Sequence, residues 1–246
     1  MSAQHRWSAV RAVLFDLDGT LLDTAADITL ALNRALAEQH LPTLARNEVR
    51  GLIGRGTPAL VERSLERIGA AASAADAQLL LDRFHHHYEC IHEQGEMQAR
   101  VYPGVARGLD ALHAFGFLLA VVTNKPRGTS MQLLTRMGLI QWMQVVVGGD
   151  SGLQRKPHPQ PLLTACAQLG VGAAETLMVG DSQIDVTAAR AAELAGVVCV
   201  PYGYNEGVDP RTLPCDAFIE TLGDLPTALV PRALEGRQAR LPGQAD

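Results

Sequence analysis

Short, almost wholly apolar runs recur along the chain at 10–15, 117–122, 145–147, 176–179 and 197–200. Between the last four lie segments whose apolar positions repeat with helical spacing, among them 129–137, 161–169 and 184–194. Strands that are apolar along their length and alternate with helices predict a parallel sheet covered on both faces. The pattern therefore predicts an α/β, Rossmann-like core.

The first strand breaks this rhythm. About a hundred residues separate it from the next, where a crossover needs only a dozen or more. The intervening chain reads as helix at 26–39, 57–69 and 75–94, with no strand signal between. The expectation is an all-helical cap inserted into the core. It leaves the core at 22–24 and returns at Tyr102, Pro103 and Gly104, ahead of a crossover helix at 105–114. The expected boundaries are core 1–22, cap 23–100, core 101–232 and a flexible tail over 233–246, which is polar with little periodicity.

Composition narrows the class. At 246 residues the chain is long enough for a substantial core with an inserted domain. A net charge of −5 argues against nucleic acid or an anionic membrane as the main partner. Cys90, Cys166, Cys199 and Cys215 show no C-x-x-C spacing, which supports neither a disulfide framework nor a zinc site. With no signal-like apolar segment at the N-terminus and no run long enough to span a bilayer, a cytoplasmic protein, monomer or homodimer, is expected.

Candidate chemistry collects where open parallel sheets bind ligands, at the carboxyl ends of the strands. There stand Asp16 and Asp18, then Thr123 and Asn124, then Asp181, with Lys156 in a proline-stiffened loop. Asp16 and Asp18, two apart in extended chain, point the same way. Taken alone, the pair also suits a strand-ending turn. Asp181 and Asp185, four apart, share one helix face near a helix start, where simple capping is the competing explanation. Four converging acids call for a cation, and an oxygen-only ligand set favours magnesium over zinc. Thr123 with free amides before Pro126 suits an anion, and Lys156 suits phosphate, though each also reads as ordinary capping or a surface lysine. Together these groups meet the needs of phosphoryl transfer, with a carboxylate as the economical nucleophile. The histidines of "FHHHYECIH" fan out by about 100° per residue along a helix, so His85, His86, His87 and His92 are not expected to hold a metal.

"DLDGTLLDT", "TNKP", "RKPHPQP" and "GDSQID" resemble, in order and spacing, the four signature motifs of the haloacid dehalogenase superfamily in its magnesium-dependent phosphatase branch. The resemblance spans nearly the whole chain, cap included. It implies Asp16 as the nucleophile that becomes an aspartyl-phosphate, and Asp18 as the acid that protonates the leaving alkoxide and then activates water. It implies magnesium on the Asp16 carboxylate, the Asp18 carbonyl and the Asp181 carboxylate, with Asp185 in support. Thr123, Asn124 and Lys156 would hold the phosphoryl oxygens. The implied activity is hydrolysis of a small phosphorylated metabolite, 2-phosphoglycolate, to glycolate and phosphate. The alternatives are another small phosphate such as a sugar phosphate, a mutase, or a non-catalytic phosphate-binding module. Dehalogenation is disfavoured, since dehalogenases have no alkoxide to protonate and typically lack the acid at Asp18. In the cap, the glycine-rich "GLIGRGTPAL" is the expected contact loop, and Arg55, where related phosphatases often have Asn, is the candidate partner for a substrate carboxylate.

Overall fold

The computed structural model describes residues 7–152 and 154–229. The tail expected at 233–246 lies outside them. Six parallel strands form the core sheet: β1 (Ala12–Phe15), β4 (Leu118–Val122), β5 (Val145–Val147), β6 (Thr176–Gly180), β7 (Gly196–Cys199) and β8 (Ala217–Phe218). Their spatial order is β5-β4-β1-β6-β7-β8, so β1 lies between β4 and β6 and delivers its carboxyl end to the middle of one sheet edge.

The alternation within β1 explains why helices cover both faces. Val13 and Phe15 pack into one apolar layer with α5 (Val105–Ala114) and α6 (Arg127–Arg136). Ala12 and Leu14 pack into the other with α7 (Gln160–Leu169) and α8 (Gln183–Ala191). Successive strand residues point to opposite faces, and here both faces are dry.

The cap is helical, as expected. It consists of α1 (Ala25–Glu38), α2 (Arg46–Arg50), α3 (Thr57–Arg67) and α4 (Ala74–Glu93) around a separate apolar cluster that includes Ile28, Leu32, Leu60, Phe84 and Tyr88. Helix α4 starts on a capping box, in which the Ser73 hydroxyl accepts from the Asp76 N–H at 3.2 Å and the Ser73 N–H donates to the Asp76 carboxylate at 2.9 Å.

Five elements depart from the expectation. The stalk of the cap carries a two-residue antiparallel ribbon, β2 (Leu22–Asp23) against β3 (Arg100–Val101), where no strand was expected. Strand β8 and the short helices α2 and α9 (Leu225–Leu229) were also unread. Each is too short to show a period.

Candidate active site

Strand β1 ends in a buried carboxylate, and the loop after it is tightly wound. The Gly19 N–H donates to the Leu22 carbonyl at 2.9 Å, with Gly19 at φ +91°. A side chain there would run into the Asp181 carboxylate. Gly203 and Gly180 play the same part toward Asp181 and Asp185 respectively. Glycine at these three positions lets two strand ends and one loop close around the acids.

Asp16, Asp181 and Asp185 each offer an oxygen within 4.8 Å of the others. Lys156, 3% exposed, is 2.8 Å from both Asp16 Oδ1 and Asp185 Oδ1. One lysine does not balance three carboxylates. Burial raises Asp16 to about 6, with Lys156 pulling against it and Asp185 adding to it. Burial, then repulsion from Asp185 and Asp16, raises Asp181 to about 8. This is a site short of positive charge with hard oxygen donors, which fits a divalent cation. Asp181 is further oriented by the Thr20 hydroxyl at 2.9 Å and the Tyr204 N–H at 2.6 Å. Asp185 serves two ends at once. Its Oδ1 faces Lys156, while its Oδ2 accepts from the Ser182 N–H at 3.2 Å and hydroxyl at 2.7 Å, capping α8. Capping and charge pairing, which compete as explanations of the sequence, coexist in one side chain.

Asp18 turns the other way. Its carboxylate accepts from the Thr24 hydroxyl at 2.6 Å and pairs with Lys125 Nζ at 3.1 and 3.3 Å. It lines the pocket under the cap together with Asp16, Thr123, Asn124 and Lys125. The Thr123 Oγ1 accepts from the Lys125 N–H at 3.2 Å, so its own O–H remains to donate. The Asn124 side chain is spent differently from the sequence reading. Its Oδ1 accepts from the Lys156 N–H at 3.0 Å, and its Nδ2 donates to the carbonyls of Lys156 and Gly54, each at 2.9 Å. It clasps the Lys156 loop and the cap loop, leaving its backbone N–H to offer a ligand.

Arg55 stands apart from this group. Its guanidinium pairs in bidentate fashion with Glu206 of the core at 2.8 and 3.0 Å. Arg63 joins the same carboxylate at 2.5 Å, and Arg50 donates to the carbonyls of Tyr202 and Gly203 at 2.7 and 2.9 Å. The loop after β7 thus ties the cap to the core. Its Tyr204 hydroxyl accepts from the N–H groups of Thr24 and Ala25 at 2.8 and 3.0 Å and donates to Asp23 at 2.8 Å, capping α1 from 180 residues away. Lys125 and Thr20 sit inside the TNKP and DLDGTLLDT motifs without a role read from the sequence, and Tyr204 lies outside all four motifs. Only Thr20 carried a local signal, its place two residues after Asp18.

The histidines of α4 diverge as helical geometry requires. His85 Nε2 faces the Thr57 hydroxyl at 3.1 Å, His87 Nε2 faces Glu38 at 2.9 Å, and His92 stacks on Tyr88. No helix among the described residues is long and apolar enough to cross a membrane.

A family model described as haloacid dehalogenase-like hydrolase matches residues 13–199, from β1 through β7. The chain belongs to that family. Among curated relatives of this hydrolase, "Phosphoglycolate phosphatase, plasmid" from Cupriavidus necator is 47% identical over 91% of this chain and 94% of its own length. The phosphoglycolate phosphatase of Nitrosospira multiformis is 43% identical over 87% of this chain and 92% of its own. A crystal structure described as a predicted phosphoglycolate phosphatase from Haemophilus somnus superposes with a TM-score of 0.82 at 32% identity, covering 88% of this chain and 96% of that one.

Proposed function

We infer that this hydrolase cleaves 2-phosphoglycolate to glycolate and phosphate, with magnesium as its cation and Asp16 as its nucleophile. The observation that carries the chemistry is the separation of the two strand-end acids. Asp16 is grouped with Asp181 and Asp185, whereas the Asp18 carboxylate is held away from that cluster by Thr24 and Lys125. Two acids in different environments suit two different tasks. The near-full-length likeness to phosphoglycolate phosphatases supports the substrate.

Asp16, Asp181 and the Asp18 carbonyl would hold magnesium, with Asp185 behind them. The ion would neutralise charge on the phosphoryl oxygens and keep Asp16 ionised. Lys156 orients the Asp16 carboxylate for in-line approach, and the Thr123 hydroxyl and Asn124 N–H donate to phosphoryl oxygens. An Asp16 oxygen forms a bond to phosphorus as the bond to the leaving alkoxide breaks, and Asp18, carrying a proton once the phosphate dianion is bound beside it, gives that proton to the alkoxide. The resulting Asp18 carboxylate then takes a proton from water as its oxygen attacks phosphorus. Phosphate leaves and Asp16 is restored. The apolar cap wall excludes bulk water during both steps.

A panel of phosphorylated metabolites assayed with magnesium tests the substrate. The expected result is a kcat/KM for 2-phosphoglycolate well above that for sugar phosphates. Equal turnover of 2-phosphoglycolate and generic phosphate esters would leave a phosphatase of another small ester.

A further inference from the structure

The pocket above Asp16 and Asp18 has a wall that the phosphoryl chemistry does not use. Its cap side is mainly apolar, formed by Ile28, Ile53, Leu60 and Phe84. Against that wall, Lys125 is the one lysine or arginine lining the pocket among the described residues, and it is 7% exposed. Its ammonium is held between the Asp18 carboxylate and the Tyr88 side chain. An ammonium has three N–H donors. The contacts at 3.1 and 3.3 Å go to the two oxygens of Asp18, and Nζ also lies 4.8 Å from the centre of the Tyr88 ring. Donor capacity therefore remains on the cap side of Lys125.

Tyr88 supplies an independent signal. It lines the same pocket, it is 5% exposed, and its hydroxyl lies beside the Lys125 ammonium without completing a hydrogen bond of ordinary geometry. A buried hydroxyl facing only a lysine ammonium keeps its own O–H unspent, and a ligand oxygen in the pocket can accept it. His85, whose pKa is lowered by burial, and Thr57 add a neutral hydrogen-bonding pair at the rim.

We propose that Lys125 and the Tyr88 hydroxyl form the subsite for a carboxylate on the leaving group. This rests on the phosphatase reading above and adds the residues that distinguish an acidic leaving group from a neutral one. One cation and one hydroxyl match the two oxygens of a monoanionic carboxylate. A second phosphate dianion would bring more charge than this wall can meet. The subsite lies between floor and cap, Lys125 following β4 and Tyr88 coming from α4, so it is complete only with the cap seated.

The test compares 2-phosphoglycolate with 2-hydroxyethyl phosphate, which keeps the primary alkoxide leaving group and lacks the carboxylate. The readout is the ratio of their kcat/KM values with magnesium present. Using a ratio cancels effects on the shared phosphoryl chemistry, including those transmitted through Asp18. Lys125→Gln is expected to lower the ratio by about 10- to 100-fold, the value of one charge-assisted hydrogen bond, and Tyr88→Phe by roughly 3- to 10-fold. Tyr88→Phe keeps the ring and its packing, so it carries the test if Lys125→Gln does not fold. A wild-type preference for 2-phosphoglycolate that persists in the variants overturns the subsite and leaves the substrate standing. A wild-type enzyme with no such preference overturns both.

Discussion

Lys156 lies 2.8 Å from Asp16 with both side chains buried, and the same ammonium is equally close to Asp185. The lysine thus fixes one oxygen of the nucleophile candidate while supporting the acid cluster from behind. Its loop is pinned in turn by Asn124, which bonds both the N–H and the C=O of Lys156. A buried charge held from several sides loses little entropy when substrate arrives, which is how a site is preorganised.

Asp16→Asn keeps the shape of the side chain and removes its nucleophilicity. Turnover is expected to fall by roughly four to six orders of magnitude while the circular dichroism spectrum stays that of the wild type. Turnover near the wild-type rate would refute the covalent route.

Asp18→Asn removes the proton donor but not the acid cluster. The expected loss is about 10²- to 10⁴-fold for 2-phosphoglycolate, whose alkoxide leaves poorly, and much less for an aryl phosphate, whose phenolate needs little help. Equal losses for both esters would mean that Asp18 has no role as an acid.

Metal and pH are linked at Asp181. Its pKa rises from the ordinary 3.8 to about 8 in the folded chain, so between those values the folded state holds more protons than the unfolded one. Stability contributed by this group therefore falls as pH rises through that interval. His92, lowered to about 4 by burial, acts in the opposite sense but only up to its ordinary 6.5. The span from about 6.5 to 8 is accordingly the clean window. Metal-free protein should melt at lower temperature as pH rises across it, and magnesium should raise the melting temperature most at its upper end. Asp181→Asn should flatten the pH dependence and abolish the magnesium effect. A magnesium shift that survives in Asp181→Asn would move the metal elsewhere.

Arg55 and Glu206 join the cap to the core across a partly exposed surface, with the Arg55 side chain 54% exposed. Solvent screening limits the contribution of such a pair to about 0–1 kcal/mol of stability. Arg55→Ala and Glu206→Ala should therefore leave the melting temperature within a few degrees of the wild type. Because Glu206 also holds Arg63, Glu206→Ala should change KM at least as much as Arg55→Ala, and the double variant no more than Glu206→Ala if the contacts act as one latch. A large KM effect of Arg55→Ala alone, absent from Glu206→Ala, would instead restore the role expected from the sequence, with Arg55 on the substrate carboxylate.

The divide between readable and unreadable features follows the range of the interactions that cause them. The long helices and the central strands announce themselves because apolar spacing is a local property. A strand buried on both faces must be apolar throughout, and a helix must repeat near 3.6. The acids at the ends of β1 and β6 were readable as a group because strand ends in a parallel sheet share one edge. The two-residue ribbon of β2 and β3 was not, since its residues form strands only through pairing with each other over some eighty positions.

The site divides in the same way. Sequence spacing was enough to place Asp16, Asp18, Thr123, Lys156 and Asp181 at one edge, because the strand-and-loop order dictates that placement. Partners were decided by packing. Arg55 was visible as a charge in a glycine-rich loop, but Glu206 faces it only because the loop after β7 folds against the cap. Lys125 was one residue of a quoted motif, and its burial between Asp18 and Tyr88 depends on where α4 sits. Charge and hydrogen-bonding capacity belong to the residue type and can be read one position at a time. Desolvation and choice of partner belong to the neighbours, and the closing of the helical cap over the sheet supplied those.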